Sequence, residues 1–255
     1  MQDMQIYHPP LEIFPALGIT GPVVMMLLSA LLTFLCLSHL ARRSDPVPQG
    51  FMANLLDAMY GFVRETIVVG FGGESMRPWT GFASALFFFI LFCNLLGLVP
   101  LAPIFSTPTA LPAVVIALAA MVFILTLWLN IKHHGPIGFL RKFIPAGIPI
   151  AAAPLMFIIE LVGFVVKPAS LAIRLCANMN AGHMVIAVFV AASKGFWFAP
   201  TSHWLTTTLS KAGTILPLLA TTLMTGFEIF ICFIQAMIFT ILAIIYISDA
   251  IAEHH

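Results

Sequence analysis

Eight polar side chains stand inside stretches that are otherwise apolar, and their types and spacing define the chemistry open to this chain. Glu160, Lys167 and Arg174 follow one another at intervals of seven residues, two helical turns each, so on a helix they project from one face. Ala177, Asn178, Ala181 and Gly182 extend that face, and His183 follows directly. Small residues there let a partner helix come close. Glu228 and Gln235 repeat the seven-residue interval, and Asp249 lies two heptads further on. An ionised side chain at the bilayer centre costs roughly 2.5–3.5 kcal/mol on insertion scales, so such residues are candidates for an ion pathway.

The chemistry they suit is proton transfer. If the two stretches form an antiparallel hairpin, Arg174 and Gln235 meet near its middle, with His183 and Glu228 on one side and Glu160 on the other. A guanidinium keeps its proton at any working pH, so Arg174 blocks a continuous proton wire while attracting a mobile carboxylate. His183, with an ordinary pKa near 6.5, and a partly buried Glu228 can relay protons from the outer water. Glu160 can receive them on the inner side. One charge crossing the bilayer releases about 2.3 kcal/mol per 100 mV, which is useful only while the two access routes stay separate.

Composition fixes the setting for these residues. Of 255 residues 61% are hydrophobic and 8% charged, whereas soluble domains carry about 25% charge; the chain is expected to be an integral membrane protein. A net charge of +1 leaves no basic surface for neutralising phosphates, so no nucleic acid is expected as a partner. Cys36, Cys93, Cys176 and Cys232 each stand alone in apolar runs, which suits small core hydrophobes better than disulfides or metal ligands. No cofactor, metal centre or catalytic residue is expected; zincin and Gly-x-Ser-x-Gly motifs are absent from the sequence.

A span needs about 20 apolar residues, and residues 21–40, 82–101 and 111–131 supply three. The first follows a segment with Asp3 and Glu12 but no Lys or Arg, which predicts a retained span, not a cleaved signal peptide. Residues 51–69 carry Phe51, Met52, Leu55, Leu56, Met59, Phe62, Val63 and Ile67 opposite Asn54, Asp57, Arg64 and Glu65, the pattern of an interfacial amphipathic helix. Residues 151–192 and 205–249 are too long for one perpendicular crossing, since each would run roughly 60 Å at ~1.5 Å per residue. Steep tilt with kinks is expected, because no polar turn interrupts either. The fold expected is an all-α integral membrane protein with about five crossing helices plus one interfacial amphipathic helix, the last two helices long, steeply tilted and antiparallel. The single membrane domain 1–255 divides into an outward N-terminal segment (1–20), a first span (21–40), the interfacial helix (50–69), a helical hairpin (82–131) and a tilted two-helix unit (151–249). Arg42, Arg43, Arg64, Arg77, Lys132, Arg141 and Lys142 share one side and only Lys194 and Lys211 the other. The positive-inside bias then puts the N-terminus outside and the C-terminus inside.

At Phe89-Ile-Leu-Phe-Cys-Asn-Leu-Leu-Gly-Leu-Val-Pro100, Pro154-Leu-Met-Phe-Ile-Ile-Glu160, Lys167-Pro-Ala-Ser-Leu-Ala-Ile-Arg-Leu-Cys-Ala-Asn-Met-Asn-Ala-Gly-His183 and Phe227-Glu-Ile-Phe-Ile-Cys-Phe-Ile-Gln-Ala-Met-Ile-Phe-Thr240, the chain resembles the subunit a family of F-type ATP synthases. The third segment is the most specific; the first 70 residues match only in layout. The resemblance implies a proton-translocating stator subunit with no catalysis of its own, coupling proton flow to ATP synthesis. It implies that Arg174 is the essential arginine facing a c-ring carboxylate, with Asn178 and Gln235 as polar neighbours. His183 and Glu228 would line the inlet half-channel and Glu160 the outlet, with Asn94, Lys167 and Asp249 as further channel-lining candidates. Implied partners are the c-subunit ring, b-type peripheral stalk subunits, the rest of the complex and the lipid bilayer. The lack of an Arg-rich transit segment favours a bacterial inner membrane over a mitochondrial one. The connection 193–214 is longer than in compact relatives, and its Phe196, Trp197 and Trp204 suit interfacial anchors.

Plainer readings stand beside these. Arg174 could pair with Glu160 or Glu228 as structural glue; Lys167 could snorkel; His183 could be a satisfied core histidine. Asn94 could bond a neighbouring helix, Asp249 could be solvated, and His133 and His134 suit a basic interfacial loop. The alternative function is a secondary transporter or proton channel with a mid-membrane polar site, which predicts internal repeat symmetry that the sequence does not show.

Overall fold

The computed structural model describes residues 12–14, 19–42, 50–98, 108–143, 152–198 and 204–252. Most of the N-terminal segment, Arg43, the 44–48 breaker, Pro100, His254 and His255 lie outside the described residues. A short antiparallel pair, β1 (Glu12–Phe14) with β2 (Ile19–Thr20), precedes the helices.

The helices are α1 (Gly21–Ala41), α2 (Phe51–Gly61), a π-helical segment Phe62–Val69, the single turn α3 (Gly70–Gly72), and a 3-10 turn Glu74–Trp79 leading into α4 (Thr80–Gly97). A second 3-10 turn, Pro108–Ala110, precedes α5 (Pro112–Lys142), α6 (Ala153–Trp197), α7 (Trp204–Gly213) and α8 (Ile215–Ile251). Five stretches are long and apolar enough to cross a membrane: Gly21–Ala41, Glu74–Gly97, Pro112–Pro136, Ala172–Trp197 and Thr206–Ile251. Lipid offers the backbone no hydrogen bonds, so segments of this composition close theirs internally as helices.

The two over-long stretches behave differently. α6 runs uninterrupted through Gly163, Pro168 and Gly182 for 45 residues, roughly 67 Å at ~1.5 Å per residue. The second stretch breaks once, at Thr214, between α7 and α8. There Gly213 lets the Phe196 ring approach; a Cβ on it would stand 3.2 Å from Phe196 Cδ1. α5 breaks at Gly135, whose φ of 69° suits glycine, and Pro136 follows with no N–H to continue the ladder. His133 and His134 therefore end a helix instead of lying in a loop.

α6 and α8 are antiparallel: Asn178 meets Gln235, Gly182 meets Glu228, and Phe196 meets Gly213. All the spans then alternate in direction, so the start of α1, the end of α4 and the start of α8 share one end of the bundle, called here the Gly21 end. The core lies between α4 and α8, where Phe87, Phe88, Phe239, Ile244 and Ile247 are fully buried, with Val115 of α5 and Leu175 of α6 against them. Phe87 packs edge-on to Phe233 at 5.7 Å between ring centroids. Inside lipid such contacts hold helices together by close packing, since exclusion from water no longer distinguishes neighbour from solvent.

The amphipathic stripe of 51–69 is divided. Val63, Ile67 and Val68 are fully buried and Leu56, Met59 and Phe62 pack against the core, while Phe51, Met52 and Leu55 are exposed. The π turn makes this possible by rotating the second half of the helix relative to the first. Its outer surface carries Arg64–Glu65 (3.3 Å) and Arg77–Glu65 (3.7 Å) ion pairs and the Arg77–Glu74 pair.

Gly72 ties this segment to α8. Ser248 Oγ donates to its carbonyl oxygen at 3.2 Å, and a Cβ there would lie 2.7 Å from Met76 Cγ and 2.9 Å from Ile244 Cγ2. Gly72→Ala is expected to destabilise the solubilised protein by about 1–3 kcal/mol, read as a lower thermal midpoint. Gly81→Ala, where nothing stands within 4 Å, is the matched control and should not lower it.

Candidate functional site

Where α6 passes α8, small residues set the spacing. Gly182 is buried, and the Glu228 carboxyl lies directly over it: a Cβ at Gly182 would stand 2.7 Å from Glu228 Cδ and closer still to Oε1. One turn back along α6, Asn178 Nδ2 donates to Gln235 Oε1 at 3.3 Å. Glu228 is 2% exposed and Gln235 3%. Among the described residues, neither Glu228 oxygen has a hydrogen-bond partner, nor has Gln235 Nε2.

Asn94 of α4 adds to this group. It is fully buried, its Oδ1 accepts from Thr109 Oγ1 at 2.7 Å, and its Nδ2 is unpartnered. From the Phe87–Phe233 contact, Asn94 lies seven residues along α4 and Glu228 five along α8, roughly 10 and 7 Å toward the same Gly21 end. His183, half-buried, follows Gly182 on that side. Buried unpaired polar groups cost about 1–3 kcal/mol each, and proteins satisfy them with internal water. Asn94, Glu228 and Gln235 thus mark a polar track inside an apolar bundle, running from the Gly21 end to the depth of Asn178.

Arg174 stands at the foot of that track and on another surface. It is exposed one turn before Asn178, beside exposed Ser170, Ile173, Ala177 and Ala181, Ile173 at 69%. Arg174 makes no ion pair with a described residue, neither Glu160 nor Glu228; the pairs Arg64–Glu65, Arg77–Glu65 and Arg77–Glu74 lie in the 64–77 segment. The face read from heptad spacing is therefore split: Ala177 and Ala181 stay with Arg174, while Asn178 and Gly182 turn toward α8.

The remaining candidates are apart. Glu160, half-buried, lies fourteen residues before Arg174, roughly 21 Å toward the other end, and Lys167 lies midway on the same helix. Asp249 is exposed near the end of α8. Sequence reasoning missed Thr109 and Asn180. Asn180 Nδ2 donates to Ala110 O at 3.0 Å and to Cys176 O at 2.9 Å. A polar residue two positions after Asn178 within an apolar helix was the available signal for Asn180. Thr109 had none, since a threonine beside a proline in a loop is ordinary.

The arrangement holds an acid over a glycine, a histidine next along α6, and a cation with no counter-charge among the described residues. Gly182→Ala should leave the fold intact, because the atom it meets is the end of a flexible side chain, but displace the Glu228 carboxyl. If the carboxyl's position matters, transport falls about tenfold, the effect of roughly 1.4 kcal/mol, and shortening the acid with Glu228→Asp in the same chain restores part of it. Unchanged transport by Gly182→Ala in reconstituted vesicles would show that the contact has no role.

The sequence model of the family described as ATP synthase A chain matches residues 23–248. Among similar curated proteins, ATP synthase subunit a of Magnetococcus marinus is 39% identical over 93% of this chain and 86% of its own length. The proteins of the same name from Pelagibacter ubique and Anaplasma marginale are 32% and 36% identical, over 94% and 93% of this chain and 90% and 91% of their own lengths.

Proposed function

Because the chain belongs to the ATP synthase A chain family, we propose that it is the proton-translocating stator subunit of a rotary F-type ATP synthase, with two offset half-channels separated by Arg174. One observation carries this reading. A guanidinium sits midway along the 45-residue helix α6, on an exposed apolar face, with no acceptor among the described residues. Left against lipid it would cost roughly 2.5–3.5 kcal/mol or more, so a partner must cover it and supply the acceptor. A ring of c subunits carrying membrane-embedded carboxylates fits that demand.

The steps follow from the residues. A proton reaches Glu228 and His183 along the buried polar track from the Gly21 end and passes to the ring carboxylate as that acid leaves Arg174. The neutral acid can then move into lipid with the ring. On returning from the other side it gives its proton to the outlet route, where Glu160 receives it and Lys167 and Asp249 border the water. Arg174 never releases its proton; it holds each unprotonated acid in turn and keeps the routes apart. Asn178 and Gln235 hold α6 to α8 at that depth. The chain performs no catalysis itself; b-type stalk subunits and the rest of the complex hold it static against the ring.

The basic residues of 42–77 and 132–142 face the inside compartment in this reading and the Gly21 end faces outward, in a bacterial inner membrane. The test is Arg174→Ala in the assembled complex, where retained pumping rejects the reading. The transporter alternative expects its central charge to be enclosed within its own chain, which the exposed Arg174 does not favour.

A further inference from the structure

The 3-10 turn Pro108–Ala110 is fastened on two sides. Thr109, fully buried, bonds Asn94 of α4. Ala110 O accepts from Asn180 Nδ2 at 3.0 Å and from Cys176 Sγ at 3.3 Å, both on α6. The turn is thus a bridge between the helix that carries Asn94 and the helix that carries His183.

Its hydroxyl also decides how the Asn94 amide points. The Thr109 hydroxyl donates its proton to Asn94 Oδ1. Turning the amide over would leave the hydroxyl proton without an acceptor among the described residues. The amide oxygen is therefore occupied, and the group left facing the buried space is the N–H donor at Nδ2, unpartnered in a residue with no exposed surface. At the same end of the bundle Glu228 presents two buried oxygens with no donor. Each orphan supplies what the other lacks. A water that accepts from Asn94 Nδ2 has both its protons free for a route toward Glu228.

We propose that Thr109 is a positioning residue for proton uptake: it fixes Asn94 with its amide donor toward the buried track, so that Asn94 seats and orients a water on the way to Glu228. This rests on the half-channel reading and adds to it a seated water and the hydroxyl that sets its orientation. Without the hydroxyl the amide is free to turn and offer its oxygen, and a water bound there would point its protons at Asn94 instead of onward.

The experiment uses the whole complex reconstituted in vesicles, with ATP synthesis driven by an imposed proton gradient. Thr109→Val, which keeps the shape and removes the hydroxyl, is expected to lower the rate about fivefold, the equivalent of one hydrogen bond. Thr109→Ser should restore it. In an Asn94→Leu background, itself slowed, Thr109→Val should add no further loss, because it acts only through Asn94. A normal rate for Thr109→Val, equal losses for Val and Ser, or fully additive losses with Asn94→Leu would each overturn the proposal. Should Thr109→Val prevent assembly, Asn94→Leu decides alone: a normal rate overturns it. Glu228→Gln run in parallel separates the two levels. If it leaves the rate untouched the half-channel reading fails, and if it stops synthesis while Thr109→Val does nothing, only the role of Thr109 fails.

Discussion

Arg174→Ala is expected to stop ATP-driven proton pumping by the complete complex in inverted membrane vesicles, while ATP hydrolysis by the detached catalytic head continues. The reason is the position of the side chain more than its charge alone. Arg174 lies on an apolar face open to a partner, with Asn178, one turn on, already engaged with Gln235. Placing a cation there carries the insertion cost of roughly 2.5–3.5 kcal/mol, so its attraction for a ring carboxylate must exceed that, a factor of about a hundred in occupancy. Without it nothing holds the unprotonated acid at the interface, and nothing electrostatic separates the inlet water from the outlet. Passive leak of protons through the membrane sector should accompany the loss of pumping. Arg174→Lys should fail as well, since an ammonium has a shiftable pKa and lacks the planar fork that grips a carboxylate on two sides. Undiminished pumping by either variant refutes the assignment.

How much of this was legible beforehand differs from residue to residue. The five spans and the antiparallel pairing of the two long stretches follow from apolar run length and heptad spacing, because lipid leaves the backbone few alternatives to helix. The order of Glu160, Arg174 and His183 along α6 is simple arithmetic on a helix. What spacing could not tell is which neighbours share a face with Arg174 once α8 has packed. Asn178 and Gly182 are drawn into the contact with Gln235 and Glu228, while Ala177 and Ala181 remain outside, and only the docking of α8 decides that. The π turn at Phe62–Val69 was hidden for a similar reason. A single amphipathic stripe reads the same whether it lies on a membrane or is wound so that half of it enters the core, as Val63 and Ile67 do. Thr109 was the least visible, since its meaning comes from Asn94, fifteen residues away in sequence.

Glu228→Gln isolates proton transfer from packing. Glutamine keeps the length of the side chain and can still lie over Gly182, and it fills the same buried space with an amide that can hydrogen-bond to internal water. Only the ability to gain and lose a proton is removed. General acid–base groups commonly contribute about 10²–10⁴-fold, and a relay residue with His183 beside it should fall toward the lower end, so ATP synthesis is expected to drop about a hundredfold. The two titrating residues also differ in setting: Glu228 is enclosed and without a partner, His183 only half-buried. With the acid gone, the remaining flux depends on the histidine, and its dependence on outside pH should narrow to a single titration, measured by varying the pH of the outward compartment at fixed driving force. Glu228→Asp retains a titrating group but withdraws it by one methylene from Gly182, and should keep more flux than Glu228→Gln. If the Asp variant is slow while the Gln variant is not, the side chain acts only by its length over Gly182 and carries no proton.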